Sequence, residues 1–202
     1  MENDNEITEN VADYDAHRNI IAKWVQLLFI CQTAKLLMTA LGEIFTISGI
    51  TGWVSRIASL ATVFALFKLS VVNARYRKAT IFYGISVGGG ILSSLLNMNM
   101  FILVLSIFSI VASYQELNAH SEITANKDAK LSNKWHSLFY LDIFAGIIVG
   151  VLSILPMTIA AFVGMDMDVL MSIFSIILTL INIVLSLLHI VYLKKTVVLY
   201  RD

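Results

Sequence analysis

Four ionisable side chains lie inside long apolar runs of this sequence: Lys35, Lys68, Asp142 and His189. A charge in apolar surroundings is costly, so such residues usually face a protein interior, pair with one another or contact a bound solute. Asp142 has a short side chain that reaches solvent less easily than lysine, and we expect it to contact Lys68 or His189. These four residues are therefore candidates for a ligand-binding site or polar cavity.

Lys35 is the first of these candidates. It lies about six residues, or roughly 9 Å of helix, from the nearer end of its apolar run, and a lysine at the centre of a membrane span costs about 2.5–3.5 kcal/mol. Extension of its side chain to the membrane surface is one explanation. However, Gln32 and Thr33 lie within one helical turn. We therefore predict that Lys35 faces a polar cavity shared with the third or fifth span, with Glu43 as a further partner.

Three consecutive glycines, Gly88, Gly89 and Gly90, occupy the middle of another apolar run. Each glycine weakens a helix by roughly 1 kcal/mol relative to alanine. Close helix packing is one explanation, because small residues let backbones approach in lipid. The other is a broken helix whose exposed backbone contacts a solute, and Pro156 in the fifth apolar run favours that alternative. The glycines therefore join the candidate ligand-binding residues.

Patterns typical of catalysis or cofactor binding are absent. Glu116 and His120 are spaced i, i+4 and could offer two metal ligands on one helix face, but two ligands do not make a site, and a solvated helix face explains them better. The sequence has no H-E-x-x-H, G-x-S-x-G or P-loop motif, and no basic surface for nucleic acid. We therefore expect neither enzymatic activity, nor a metal, nor a cofactor, nor a nucleic-acid partner.

Composition indicates the environment in which these residues must be positioned. The chain is 58% hydrophobic and 14% charged, whereas soluble domains average about 45–50% and about 25%. The solvent for so much apolar surface must be lipid. Residues 1–16 differ, because they carry six carboxylates by position 15 and little apolar content to bury. We predict a disordered acidic tail at 1–16 and a membrane domain at 17–202.

Six apolar runs are candidates for membrane-spanning helices, each approaching the roughly 20 residues that a crossing needs. They lie near residues 20–41, 53–72, 79–96, 98–113, 138–162 and 169–192. The predicted fold is an all-α, polytopic membrane helix bundle, arranged as three hairpins. A four-span alternative stays open, because the third and fourth runs are short and nearly fused.

Basic residues predict how the spans are oriented. On the six-span reading eleven Lys and Arg residues fall on one side and none in the turns on the other, which by the positive-inside rule places both termini in the cytoplasm. The longest polar connection, 114–137, is then cytoplasmic. Trp24, Trp53 and Trp135 fall near span ends and are expected to be interface anchors. We expect an integral protein of the cell membrane.

Two functions fit these observations. The first is solute handling, as a small carrier or the membrane-embedded binding subunit of a transporter, with the solute unknown. The alternative is a non-transporting accessory protein that binds a partner protein through its acidic tail and the 114–137 segment. Expected partners are the lipid bilayer and either another protein or further copies of this chain.

Overall fold

A computed structural model describes the backbone of residues 2–45, 48–96, 102–163 and 167–201. It describes the side chains of residues 15–42, 51–94, 104–147, 169 and 172–201. The structural statements below concern these residues.

The described chain is 95% helical and contains no strand, as the sequence predicted. Its six helices are α1 (Glu2–Phe45), α2 (Ser48–Leu69), α3 (Ala74–Leu96), α4 (Ile102–Ala125), α5 (Ala129–Val163) and α6 (Met167–Arg201). Each of the six predicted apolar runs overlaps one helix.

Short polar residues begin two of the helices. The Asn73 side-chain oxygen accepts a hydrogen bond from the backbone N–H of Arg75 at 2.8 Å, and the Asp128 carboxylate accepts one from the N–H of Leu131 at 3.0 Å. Such N-caps satisfy backbone donors that have no partner within the helix. They set the starts of α3 and α5 and keep short the connections from α2 to α3 and from α4 to α5.

The helices form a closed ring. Each packs on its neighbours in the chain, and α6 returns to pack on α1. Arg18 joins α1 to the end of α6, since its guanidinium donates to the backbone carbonyls of Tyr200 at 3.0 Å and Arg201 at 2.9 Å. The part of α1 around Arg18 therefore lies beside the end of α6, at what we call the terminal end of the bundle.

The apolar core lies in the half of the bundle nearest the terminal end. All six helices contribute to it, and its largest fully buried apolar side chains are Trp135, Tyr76, Leu28, Leu66, Leu69, Leu117 and Leu193. Towards the other end, the described interior contains a cavity that is lined mainly by polar side chains. The bundle thus has a packed half and a half that contains this cavity.

Membrane association is supported by three helical segments that are long and apolar enough to cross a bilayer: 15–42, 51–69 and 172–201. Large apolar side chains such as Phe67 on α2 and Leu180 on α6 point outwards, each 56% exposed. In water such contiguous apolar surface would be unfavourable, whereas lipid accommodates it. The three candidate spans found among the described residues are fewer than the six that the sequence predicted.

The 114–137 segment is not a separate surface connection. Helix α4 continues through Ala125 and α5 begins at Ala129, so all but a short turn belongs to two packed helices. Glu116, His120 and Trp135 are fully buried. The predictions of a solvated helix face at Glu116 and His120, and of an interface anchor at Trp135, were wrong, because all three side chains turn inwards.

The two helices for which a break was one of the two alternatives are continuous. Helix α3 runs through the three glycines and α5 runs through Pro156, so the broken-helix interpretation is wrong for the backbone. A Cβ at Gly89 would meet the Leu105 side chain of α4, which shows that this glycine permits the close approach of α3 to α4.

Helix α1 already begins at Glu2, and the division into a tail at 1–16 and a membrane domain at 17–202 stays a prediction.

Candidate functional site

A cavity of about 390 Å³ lies in the half of the bundle away from the terminal end, between α1, α2, α3 and α4. It is lined mainly by basic and hydroxyl-bearing side chains: Lys35, Ser55, Arg56, Ser59, Thr62, Tyr83, Ser86 and Ser109, together with Val87, Gly90 and Ile91. We call it the Lys35 cavity. None of these lining residues is acidic, so the described wall is positively charged.

Lys35 points into the bundle. Its Nζ donates to the Thr62 hydroxyl on α2 at 3.4 Å, and Thr62, only 2% exposed, in turn donates to the backbone carbonyl of Ala58 at 2.8 Å. This inward position excludes extension of the side chain to the membrane surface. The predicted partner Glu43 lies outside the residues whose side chains are described.

Arg56 provides the second positive charge of the Lys35 cavity. Its guanidinium donates to the Ser94 hydroxyl at 3.2 Å and lies 5.5 Å from the ring centre of Trp53. Among the described side chains, no carboxylate lies within ion-pair distance of Lys35 or Arg56. The two cations are therefore held by neutral hydroxyl groups and an aromatic ring.

A smaller polar cavity of about 140 Å³ lies beside Asp142 and His189. Gln32, Tyr83, Ser113, Asn182 and Ser186 also line it. The Ser113 hydroxyl donates to Asp142 at 3.3 Å, and no hydrogen bond joins Asp142 to Lys68 or His189 in the described part of the chain. The prediction that Asp142 contacts Lys68 or His189 was thus wrong, because the Ser113 hydroxyl of α4 contacts it instead.

The predicted site residues are divided between the two cavities, and some of them line neither. Lys35 and Gly90 line the first cavity, whereas Asp142 and His189 line the second. Lys68 lines neither, because its Nζ lies 5.4 Å from the ring centre of Phe64 and 5.9 Å from that of Phe67.

Gly88 and Gly89 also line neither cavity. A Cβ at Gly88 would have no neighbour within 4 Å, while Gly89 packs on α4. Of the three glycines, only Gly90 borders a site.

A third group of polar side chains is buried between α4 and α6. Glu116 and His120 are both 0% exposed, and His189 of α6 approaches them. Glu116 Oε1 lies 3.8 Å from Nε2 of each histidine. Within the described structure, both Glu116 oxygens and both Nε2 atoms are buried without a hydrogen-bond partner. Each buried polar atom without a partner costs about 1–3 kcal/mol, so this arrangement needs a compensating interaction.

Tyr76 and Trp135 fix the orientation of His120. The Tyr76 hydroxyl lies 2.8 Å from His120 Nδ1, and the Trp135 ring stacks on the imidazole at 4.5 Å between ring centres. Burial, together with the negative charge of Glu116, raises the pKa of Tyr76 well above its ordinary value, so its hydroxyl keeps its proton. With Nδ1 bonded to Tyr76, His120 directs Nε2 towards Glu116.

Sequence reasoning missed most of the hydroxyl groups of the Lys35 cavity. Ser55, Ser59 and Thr62 are spaced four and three residues apart, which puts them on one face of α2. This polar stripe within an apolar helix was the available signal. For the buried cluster, the i, i+4 spacing of Glu116 and His120 was recognised but interpreted as solvated.

Searches of protein-family models, curated proteins and solved structures find no match to this chain. The site geometry is therefore the basis for inferring function.

Proposed function

We propose that this protein is a multi-pass membrane protein that binds a small anionic solute in the Lys35 cavity, as a carrier or as the membrane-embedded binding subunit of a transporter. The observation that carries the proposal is the lining of that cavity by Lys35, Arg56 and hydroxyl groups, with no carboxylate among the described lining residues. A volume of about 390 Å³ falls within the range of about 300–1,000 Å³ typical of small-molecule sites.

The electrostatics of Lys35 support an anion. Insertion of a lysine at a span centre costs about 2.5–3.5 kcal/mol, and a 3.4 Å hydrogen bond to Thr62 is too long and too weak to offset it. A carboxylate or phosphate group in the cavity would form charge-assisted hydrogen bonds with Lys35, Arg56 and neighbouring hydroxyls. Ligand binding would then offset the free-energy cost of placing Lys35 inside the bundle.

Ligand-dependent thermal unfolding of the purified full-length chain in detergent tests this proposal. The probes are inorganic phosphate, sulfate, glutamate and citrate at increasing concentration. A ligand at 100 times its Kd stabilises by about 2.7 kcal/mol, which for a chain of this length raises Tm by roughly 5–10 °C. We expect at least one of these anions to produce such a shift.

Lys35→Leu is the decisive variant, and Lys68→Leu is its matched control, because Lys68 lines neither described cavity. Without anion, Lys35→Leu should be as stable as the wild type or more stable, since it removes a buried charge. It should also abolish the anion-dependent shift of Tm. Lys68→Leu should retain the shift. The proposal fails if no probe shifts Tm, or if Lys35→Leu responds like the wild type. Counterflow uptake of the active anion into proteoliposomes then distinguishes a carrier from a binding subunit.

We further propose six spans, with both termini in the cytoplasm and the protein in the cell membrane. Six helices of adequate length, the eleven basic residues on one side and the contact of Arg18 on α1 with the end of α6 support this topology. Outward-facing apolar side chains on α3, α4 and α5, such as Ile81, Ile107 and Phe144, suit lipid contact.

Cysteine labelling in intact cells tests the topology. In a Cys31→Ser background, single cysteines at Asn99 and Asp166 should react with an impermeant thiol reagent, whereas one at Asn126 should react only after permeabilisation. Labelling of the Asn126 position in intact cells would contradict the proposed orientation.

The accessory-protein alternative finds less support. It requires the 114–137 segment to present a polar surface to a partner. Glu116, His120 and Thr124 are buried in the bundle, which leaves exposed residues such as Glu122, Asn126 and Lys130 for such a contact. A protein that co-purifies in stoichiometric amount with the chain, without any anion-dependent stabilisation, would favour this alternative.

A further inference from the structure

The buried cluster of Glu116, His120 and His189 has the composition of a metal site. Glu116 and His120 lie one turn apart on α4, and α6 brings His189 to face them. One ligand atom from each residue lies within 4.8 Å of the other two. Two imidazoles and one carboxylate form a ligand set that zinc uses when one coordination position is left open.

The distances favour an ion between these groups over direct hydrogen bonds. At 3.8 Å, the contacts from Glu116 Oε1 to the two Nε2 atoms are too long for hydrogen bonds. Ligands about 2.1 Å from a tetrahedral ion lie about 3.4 Å from one another. A movement of a few tenths of an ångström would therefore complete the coordination, and all four buried polar atoms without partners surround that position.

The surroundings of the cluster suit a metal ligand. The His120 Nδ1 atom is bonded to the Tyr76 hydroxyl, and an outer hydrogen bond of this kind fixes the tautomer and orientation of ligating histidines. Trp135 packs against both imidazoles, stacked on His120 and edge-on to His189 at 5.4 Å. His189 also borders the cavity of about 140 Å³, which provides space for a water or solute as a fourth ligand.

We propose that Glu116, His120 and His189 bind one divalent transition-metal ion, with zinc as the best fit to the ligand set. His120 and His189 bind through Nε2 and Glu116 through its carboxylate, and the open position faces the smaller cavity. This site is separate from the Lys35 cavity, and the inference does not depend on the proposed solute function.

Metal binding is tested on the full-length protein in detergent after treatment with a chelator. The stripped protein is titrated with Zn²⁺ or Co²⁺, freed of unbound ion by gel filtration, and analysed for metal by elemental mass spectrometry. We expect one Zn²⁺ per chain and, with Co²⁺, the intense visible absorption of a tetrahedral site. A wild-type protein that retains no metal and shows only the weak spectrum of hydrated Co²⁺ would overturn the proposal.

Conservative variants assign the ligands. Glu116→Gln and His189→Gln should lose the bound ion, and Tyr76→Phe should weaken binding by about 10–100-fold. His136→Gln is the matched control, because His136 is exposed on α5, and it should bind like the wild type. Far-UV circular dichroism verifies that each variant is folded. If folded His189→Gln keeps its zinc, or if His136→Gln loses it, the ion binds elsewhere and the proposal is wrong.

Discussion

Replacement of Trp135 by alanine should strongly destabilise the bundle. The sequence places Trp135 in a polar stretch where a peripheral role is expected, whereas the structure buries it completely, with 0% of its surface exposed. Its indole N–H donates to the Thr196 hydroxyl of α6 at 3.2 Å, and its ring contacts those of His120, His189 and Tyr192. Trp135 thus connects α5 to both α4 and α6.

The expected magnitude follows from these contacts. Truncation of a buried tryptophan to alanine costs about 3–5 kcal/mol through lost apolar contact and the resulting cavity. The hydrogen bond to Thr196 accounts for about 0.5–1.5 kcal/mol. Trp135→Phe keeps an aromatic ring but loses this bond and part of the buried surface, so we expect a loss of about 1–2 kcal/mol. The order of stability should be wild type, Trp135→Phe, then Trp135→Ala.

The assay is denaturant-induced unfolding in detergent micelles, followed by far-UV circular dichroism. Trp53→Ala is the matched control, because it makes the same substitution at a tryptophan that is 66% exposed. Its described contact is the one with Arg56, worth about 0.5–1 kcal/mol at an exposed site. If Trp135→Ala is no more destabilising than Trp53→Ala, the burial of the 114–137 segment and the reasoning from it are refuted.

Two further predictions concern the glycine triplet and the N-terminal segment. Gly88→Ala should stabilise the bundle by up to about 1 kcal/mol, since the new methyl group meets no neighbour and alanine favours helix. Gly89→Ala should be about 1–3 kcal/mol less stable than Gly88→Ala, because Leu105 must move to avoid overpacking; equal effects in thermal unfolding would contradict the close approach of α3 and α4. Deletion of residues 2–10 should leave membrane insertion and Tm unchanged, and a loss of folded protein on gel filtration would show that this segment is structural.

The sequence alone determined the general class of the protein. A chain that is 58% hydrophobic requires lipid, and runs of apolar residues in a membrane satisfy their backbone hydrogen bonds by forming helices. The described helices agree with this constraint, and three of their segments are long and apolar enough to cross a bilayer. The cost of a charge in such a helix also made Lys35 and His189 candidates without any knowledge of the fold.

Which face of each helix turns inwards was decided by tertiary packing. Taken over their whole lengths, helices α4 and α5 have almost no preferred apolar face, so their periodicity does not indicate how they are rotated. Glu116, His120 and Trp135 were consequently assigned to the surface. Closure of the ring turns all three inwards and brings His189 of α6 against α4. Local spacing relates residues on the same helix, but only packing between helices sets the distance from Glu116 to His189.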